Sequence, residues 1–154
     1  MRKNRLLLAT IAVSFIFIIG WKISANEQIV FAKDTLVDVK IGEENYSAKL
    51  NSSPASRALI KKLPMKFDFR HSPGLEEKIS DLNFSLNTKG MPKGAKARPG
   101  DIGYWSPDHR LVLYWGNVSY YSGIHLMGKF SSKKAQSAIR HMHDGDVVSV
   151  KTHH

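Results

Sequence analysis

One aromatic segment limits the folds open to this chain more than any other part of the sequence. Two strand-like runs, residues 101–105 and 110–115, flank the four residues Ser-Pro-Asp-His, which have the composition of a hairpin loop. The implied antiparallel pairing places Trp105 opposite Arg110 and Tyr104 opposite Leu111. We therefore predict a hairpin at this point in the chain.

Both faces of the predicted hairpin are apolar. Side chains alternate along a strand, so Ile102, Tyr104, Leu111, Leu113 and Trp115 share one face, and Gly103, Trp105, Val112 and Tyr114 share the other. A hairpin with two apolar faces needs cover on both, as in a barrel wall backed by a helix or a loop. The pattern favours a β-barrel.

Strand-like runs and two helix starts fill much of the remaining chain. The predicted strands are residues 28–32, 35–41, 46–50, 65–70, 78–86, 125–130 and 146–152. Ser53 and Pro54 are typical of a helix start, and Pro64 ends that helix. Ser132 can cap a second helix at 133–143, which Gly145 ends. Residues 87–99 indicate the longest irregular stretch, and in 125–130 alternation puts Leu126 and Phe130 on one side.

An ordered series of motifs carries a resemblance to a known family. The motifs are Gly90-Met-Pro92-Lys-Gly94, then Arg98-Pro99-Gly100-Asp101-Ile-Gly-Tyr104, Leu113-Tyr114, Tyr121 and Leu126-Met-Gly128-Lys-Phe130. Together they resemble the signature of the bacterial cyclophilin-like fold family over roughly residues 36–150. The resemblance implies a mainly β fold, a closed barrel of about eight strands with two short helices that plug its ends. It implies a fold more than an activity.

The first 25 residues have the pattern of an export signal. Residues 1–5 are positively charged, and residues 6–21 are apolar apart from Thr10, Ser14 and Gly20. As a helix the apolar run spans roughly 24 Å, less than the ~30 Å hydrocarbon core of a bilayer. We expect cleavage after Ala25, leaving residues 26–154 as one exported domain, periplasmic or extracellular. An uncleaved anchor in the cytoplasmic membrane is the alternative.

Composition excludes several kinds of chemistry. The chain has no cysteine, which rules out disulfides, a thiol nucleophile and cysteine-ligated metals. The net charge of +10 includes four basic residues of the leader, and the moderate remainder suits anionic envelope surfaces better than nucleic acid. His141, His143, His153 and His154 have poor spacing for a metal site. We predict no cofactor, no metal and no nucleic-acid partner.

Peptidyl-prolyl isomerisation is the enzymatic hypothesis, because true cyclophilins share the barrel that the resemblance implies. The resemblance implies one guanidinium near the prolyl nitrogen, beside an apolar pocket for the ring. Arg70 follows Phe69 here, but the Phe-Met-x-Gln-Gly-Gly half of the cyclophilin signature is missing. Arg70 is therefore a weak catalytic candidate, and a solvated strand-end charge is the alternative. A serine hydrolase lacks support, since the chain has no Gly-x-Ser-x-Gly elbow.

Ligand binding without turnover is the competing hypothesis. Six amphipathic rings can line a groove, those of Tyr104, Trp105, Tyr114, Trp115, Tyr120 and Tyr121. Among them we predict Tyr104, Trp105, Trp115 and Tyr121 as ligand-binding residues, and Arg98 can steer an anionic or extended ligand. The same rings can equally serve as barrel core or wall. We predict an exported module for a peptide or small molecule. Isomerase activity is the first alternative, and a structural envelope domain, tethered to the membrane through its N-terminus, is the second.

Overall fold

The computed structural model describes residues 33–154, so the predicted leader and the predicted strand at 28–32 lie outside the described residues. The described elements are β1 (Thr35–Ile41), β2 (Glu44–Leu50), α1 (Pro54–Ile60), β3 (Met65–His71), β4 (Glu77–Asp81), β5 (Gly94–Ala97), β6 (Asp101–Trp105), β7 (Arg110–Tyr114), β8 (Val118–Ser122), β9 (Ile124–Phe130), α2 (Lys133–Arg140) and β10 (Asp146–Thr152).

Eight of these strands close into an antiparallel barrel. Their order around the ring is β1, β10, β3, β4, β7, β6, β9 and β2, and β2 pairs back to β1. Strands β5 and β8 pair only with each other and form a separate two-stranded ribbon. The predicted closed barrel of about eight strands with two short helices is confirmed.

The barrel interior is a packed apolar core. Phe67 and Phe69, two apart on β3, both point inward and are 3% and 1% exposed. The two helices add Ala55, Leu59, Ala135 and Ile139 to the same hydrophobic cluster. Neither of these helices, within residues 33–154, has the length and apolar character needed to cross a membrane.

Both helices begin where the sequence predicts. The Ser53 hydroxyl accepts a hydrogen bond from the backbone N–H of Ser56 at 3.2 Å, and Pro54 is the first helical residue. Ser132 caps α2 in the same way, through the N–H of Ala135 at 3.4 Å. The second helix ends at Arg140, three residues earlier than predicted, and His141 is its C-cap.

The central hairpin has the predicted register, with Trp105 opposite Arg110 and Tyr104 opposite Leu111. Its inner face belongs to the barrel core. On its outer face Val112 and Tyr114 form a second hydrophobic cluster with Ala97 of β5 and Val118 of β8. The cover on the outside is therefore the β5–β8 ribbon. The expectation that residues 87–99 are irregular throughout was wrong, because β5 lies within them.

Two other strand predictions need correction. The strand predicted at 78–86 ends at Asp81, after which the Leu82 N–H bonds to the His109 carbonyl at 2.8 Å. In β9 the register shifts opposite Ile102 and Gly103, as in a β-bulge. Met127 then enters the barrel core with Phe130, while Leu126 packs on the outer cluster. The prediction that Leu126 and Phe130 share a side was wrong.

Candidate functional site

A cavity of about 260 Å³ lies on the outer wall of the barrel, where β4 and β7 meet β8. We call it the outer pocket. The β4–β7 pairing sets Glu77 opposite Tyr114 and Ile79 opposite Val112, so these four side chains share the outward face. All four line the pocket, together with Val118 and Ile124.

The lumen of the barrel offers no comparable space. Its cavity measures about 20 Å³ and is lined entirely by core side chains, among them Phe69, Leu111 and Leu113. That volume is near the minimum that holds one water molecule. A ligand of any size therefore has to bind outside the lumen.

Two aromatic side chains stand at the outer pocket. Trp105 lines it from β6, and its Nε1–H donates to Asp108 Oδ2 at 3.1 Å, which fixes the orientation of the indole. Tyr121 lines it from β8 and remains 47% exposed. One ring is held in place and the other stands at the solvent side.

Glu77 is the buried charge of the pocket. It is only 8% exposed, and burial raises the pKa of its carboxyl above the usual value. A hydrogen bond with the Ser72 side chain and the positive charge of Arg110 act in the opposite direction and lower that pKa. Among the ion pairs of residues 33–154, none includes Glu77.

The arginines near the pocket are already paired. Arg110 Nε lies 2.9 Å from Asp81 Oδ1, and its Nη1 lies 2.9 Å from Asp108 Oδ2. Arg70 Nη1 lies 2.6 Å from Asp81 Oδ2. The hydrogen bond with Arg70 is the largest influence on Asp81 and holds the pKa of that carboxyl below its usual value. Two guanidinium groups thus balance two carboxylates, and Glu77 stays outside this network.

The residues predicted to bind ligand do not all meet. Trp105 and Tyr121 line the outer pocket. Tyr104 is 1% exposed within the barrel core, where its hydroxyl accepts a hydrogen bond from the Leu86 N–H at 3.1 Å. Tyr104 therefore supports the fold from inside.

The other two predicted residues lie elsewhere. Trp115 packs against the barrel core, with the Arg140 guanidinium 5.2 Å from the centre of its ring. Arg98 is exposed in the turn before β6, and its backbone N–H donates to Asp101 Oδ2 at 2.8 Å. Neither residue belongs to the outer pocket.

Sequence reasoning missed Glu77 and Arg110 as pocket residues. It counted Tyr114 among the rings that can line a groove, and alternation put Tyr114 on the same hairpin face as Trp105. The sequence did not show which strand pairs with the outer edge of β7, because neither strand alone carries a signal for the β4–β7 pairing. Glu77 precedes the strand predicted at 78–86, so its position opposite Tyr114 was not foreseen.

A serine and a histidine also meet near the ribbon. His125 Nε2 lies 3.1 Å from Ser106 Oγ, and burial lowers the pKa of the imidazole. Its Nδ1 has no hydrogen-bond partner within the described chain, so the carboxylate that would orient the ring in a catalytic triad is missing there. Over the same residues no cluster of acidic or histidine side chains fits a metal ion.

Comparison with known proteins places this architecture. No curated protein matches the chain. A hypothetical protein from Archaeoglobus fulgidus, known from its solution structure, superposes with a TM-score of 0.53 at 15% identity, over 78% of this chain and 95% of its own. At that identity the likeness shows the fold alone. The model of the cyclophilin-like family matches residues 39–151, close to the range that the motifs indicated. The chain belongs to the cyclophilin-like family.

Proposed function

We propose that this protein is an exported binding module that holds a small molecule, or one side chain of an extended peptide, in the outer pocket without turnover. The observation that carries the proposal is the cavity of about 260 Å³ between the barrel wall and the ribbon. Ligand pockets are typically concave, largely apolar and supplied with a few polar groups. Since drug-sized sites begin at about 300 Å³, a ligand with a single ring suits this one.

Loose packing does not account for the cavity. Val112 and Val118, on either side of it, are 1% and 4% exposed, so the ribbon packs closely on the wall. The cavity opens to solvent beside Tyr121, which is 47% exposed, and the packed neighbours hold its apolar floor in place. A largely preformed cleft of this kind is typical of ligand sites.

Export is part of the proposal and rests on the leader pattern of residues 1–25. Cell fractionation and the mass of the protein recovered outside the cytoplasm test it together. Loss of the first 25 residues is the expected result. Recovery of the full-length chain with the membrane fraction would instead establish an anchored domain.

Prolyl isomerisation remains the alternative function, with Arg70 as its candidate. Both oxygens of Asp81 lie close to this guanidinium, at 2.6 and 3.1 Å, so the group that would face a prolyl nitrogen already has a partner. A prolyl-peptide isomerisation assay on the natural chain and on Arg70→Ala decides the matter. Acceleration that disappears in the variant would replace binding with catalysis.

Site-resolved NMR tests the binding proposal. Indole, benzyl alcohol and a prolyl tetrapeptide are titrated separately into the ¹⁵N-labelled chain. At least one of them should shift the amide signals of Val112, Val118 and Ile124 in a saturable manner. The amides of β1, which has no part in the pocket, should stay in place.

A variant that fills the pocket supplies the control. Leu75 lines the pocket and is partly exposed, so Leu75→Trp should obstruct it and weaken the shifts at least tenfold. Leu36→Trp adds the same bulk at a 44% exposed site on β1 and should change nothing. Shifts that survive Leu75→Trp, or that appear on β1, would show that the pocket is not the binding site.

A further inference from the structure

We propose that the outer pocket selects ligands in which a protonated amine is attached to an apolar or aromatic body, with the Glu77 carboxylate as the counterion. This inference rests on the proposed function of the pocket. It adds the chemical class of the ligand.

Glu77 is a buried acidic residue without a salt-bridge partner in the described chain. The residue is 8% exposed, lines the cavity and forms no ion pair within residues 33–154. A buried carboxylate without a cation is costly, and a hydroxyl such as that of Ser72 offsets only part of the lost hydration. A ligand ammonium group is the partner that this position lacks.

The lining of the pocket has no unpaired positive charge for an anion. Arg110 is the one cationic side chain in its lining, and Asp81 and Asp108 already take two sides of that guanidinium at 2.9 Å each. Counting Arg70, the network is neutral. When Glu77 is ionised, the pocket therefore carries a net negative charge, which disfavours carboxylate and phosphate ligands.

The walls of the pocket are aromatic and apolar. Trp105 and Tyr121 line the same cavity as Glu77, and their π faces attract cations. The Nε1–H of Trp105 donates to Asp108 Oδ2 at 3.1 Å, and this bond restrains the ring at the cavity. Ile79, Val112 and Val118 provide apolar surface for the rest of the ligand.

Three ligands of similar shape and different charge isolate the effect of charge on binding. Benzylamine, benzyl alcohol and benzoate share a ring and differ in charge. They are titrated into the ¹⁵N-labelled full chain near neutral pH, and the pocket amides are followed. Benzylamine should bind at least tenfold more tightly than benzyl alcohol, and benzoate should bind least.

A neutral isostere tests the role of Glu77 directly. In Glu77→Gln the preference for benzylamine over benzyl alcohol should vanish. Glu44→Gln removes the same charge from an exposed position on β2 and should retain the full preference. The order of the probes on the unsubstituted chain tests the proposal even if Glu77→Gln folds poorly.

The outcomes separate the two proposals. Equal binding of benzylamine and benzyl alcohol, tighter binding of benzoate, or a preference that persists in Glu77→Gln would overturn the amine inference and leave the pocket as a ligand site. If none of the three probes shifts the pocket amides, the amine inference is overturned. If indole and the peptide fail as well, the binding function falls with it.

Discussion

At the scale of single residues, two carboxyl groups on β4 show how the local environment shifts a pKa. Glu77 and Asp81 are four residues apart on the strand and so share its outer face. Glu77 is buried, and its pKa is raised chiefly by desolvation. Asp81 is half exposed beside Arg70 and Arg110, and its pKa is lowered. The same face therefore holds one carboxyl that resists ionisation and one that favours it.

Glu77→Gln should flatten the dependence of stability on pH. Because the folded protein holds the Glu77 proton more tightly than the unfolded chain, stability falls as pH rises from the ordinary glutamate pKa to the raised one. Glutamine does not titrate, so the variant should escape this loss. Urea unfolding at several values from about pH 4 to about pH 8 measures the difference. Parallel curves for the two proteins would mean that the Glu77 carboxyl is not desolvated.

Gly103→Val should destabilise the barrel wall. A Cβ at residue 103 would lie 2.9 Å from Cε2 of Tyr114, whose ring is packed and 1% exposed. Overpacking of this kind costs about 1–3 kcal/mol. Ser47→Val places the same side chain at an exposed strand position and should change the urea midpoint little. Equal midpoints for the two variants would show that Tyr114 does not depend on the room that Gly103 leaves.

At the scale of elements, the β5–β8 ribbon creates the outer pocket, because β8 forms one of its walls. It has its own hydrogen-bonded pairing and its own hydrophobic cluster with the outer wall. Strands joined to the rest mainly through one apolar contact layer can open locally without global unfolding. Access of a ligand to the pocket therefore depends on the stability of the packing between β8 and the outer wall of the barrel.

Val118→Ala should loosen the ribbon selectively. The substitution removes two buried methyl groups, worth about 1.6 kcal/mol of apolar contact. Hydrogen exchange should accelerate at the amides of β5 and β8 and stay unchanged at β1 and β10. Uniform acceleration over all strands would show that ribbon and barrel unfold as one unit.

Sequence patterns predicted elements well where alternation was unbroken. The register of the Tyr104 and Trp105 hairpin, both helix caps and the strands at 35–41 and 146–152 follow from local rules. Prediction failed where a long-range contact overrides the pattern. The bulge that turns Met127 inward depends on the pairing with β6, and the end of β4 at Asp81 depends on a bond to His109.

The site was less predictable than the fold for the same reason. Aromatic content pointed to Trp105 and Tyr121, both of which line the pocket. It also pointed to Tyr104 and Trp115, whose rings pack on the barrel core instead. Glu77 becomes a pocket residue only through the pairing of β4 with β7, two segments that are distant in the sequence, so no local pattern indicates it.

At the scale of the whole molecule, the barrel is closed and filled. The lumen keeps about 20 Å³, whereas the outer wall carries about 260 Å³. Barrels that carry ligands inside need an interior wider than their own side chains. Core side chains fill the interior of this barrel. We therefore expect a ligand to bind outside it, where the ribbon and the outer wall enclose a second apolar space.

A crystal structure of the protein soaked with benzylamine would show whether ligands bind outside the barrel. We expect the ring in the outer pocket beside Trp105, with its nitrogen within hydrogen-bond distance of Glu77 and no ligand in the lumen. A ligand in the barrel lumen, or an outer pocket filled by its own side chains, would show that recognition does not take place on the outer wall.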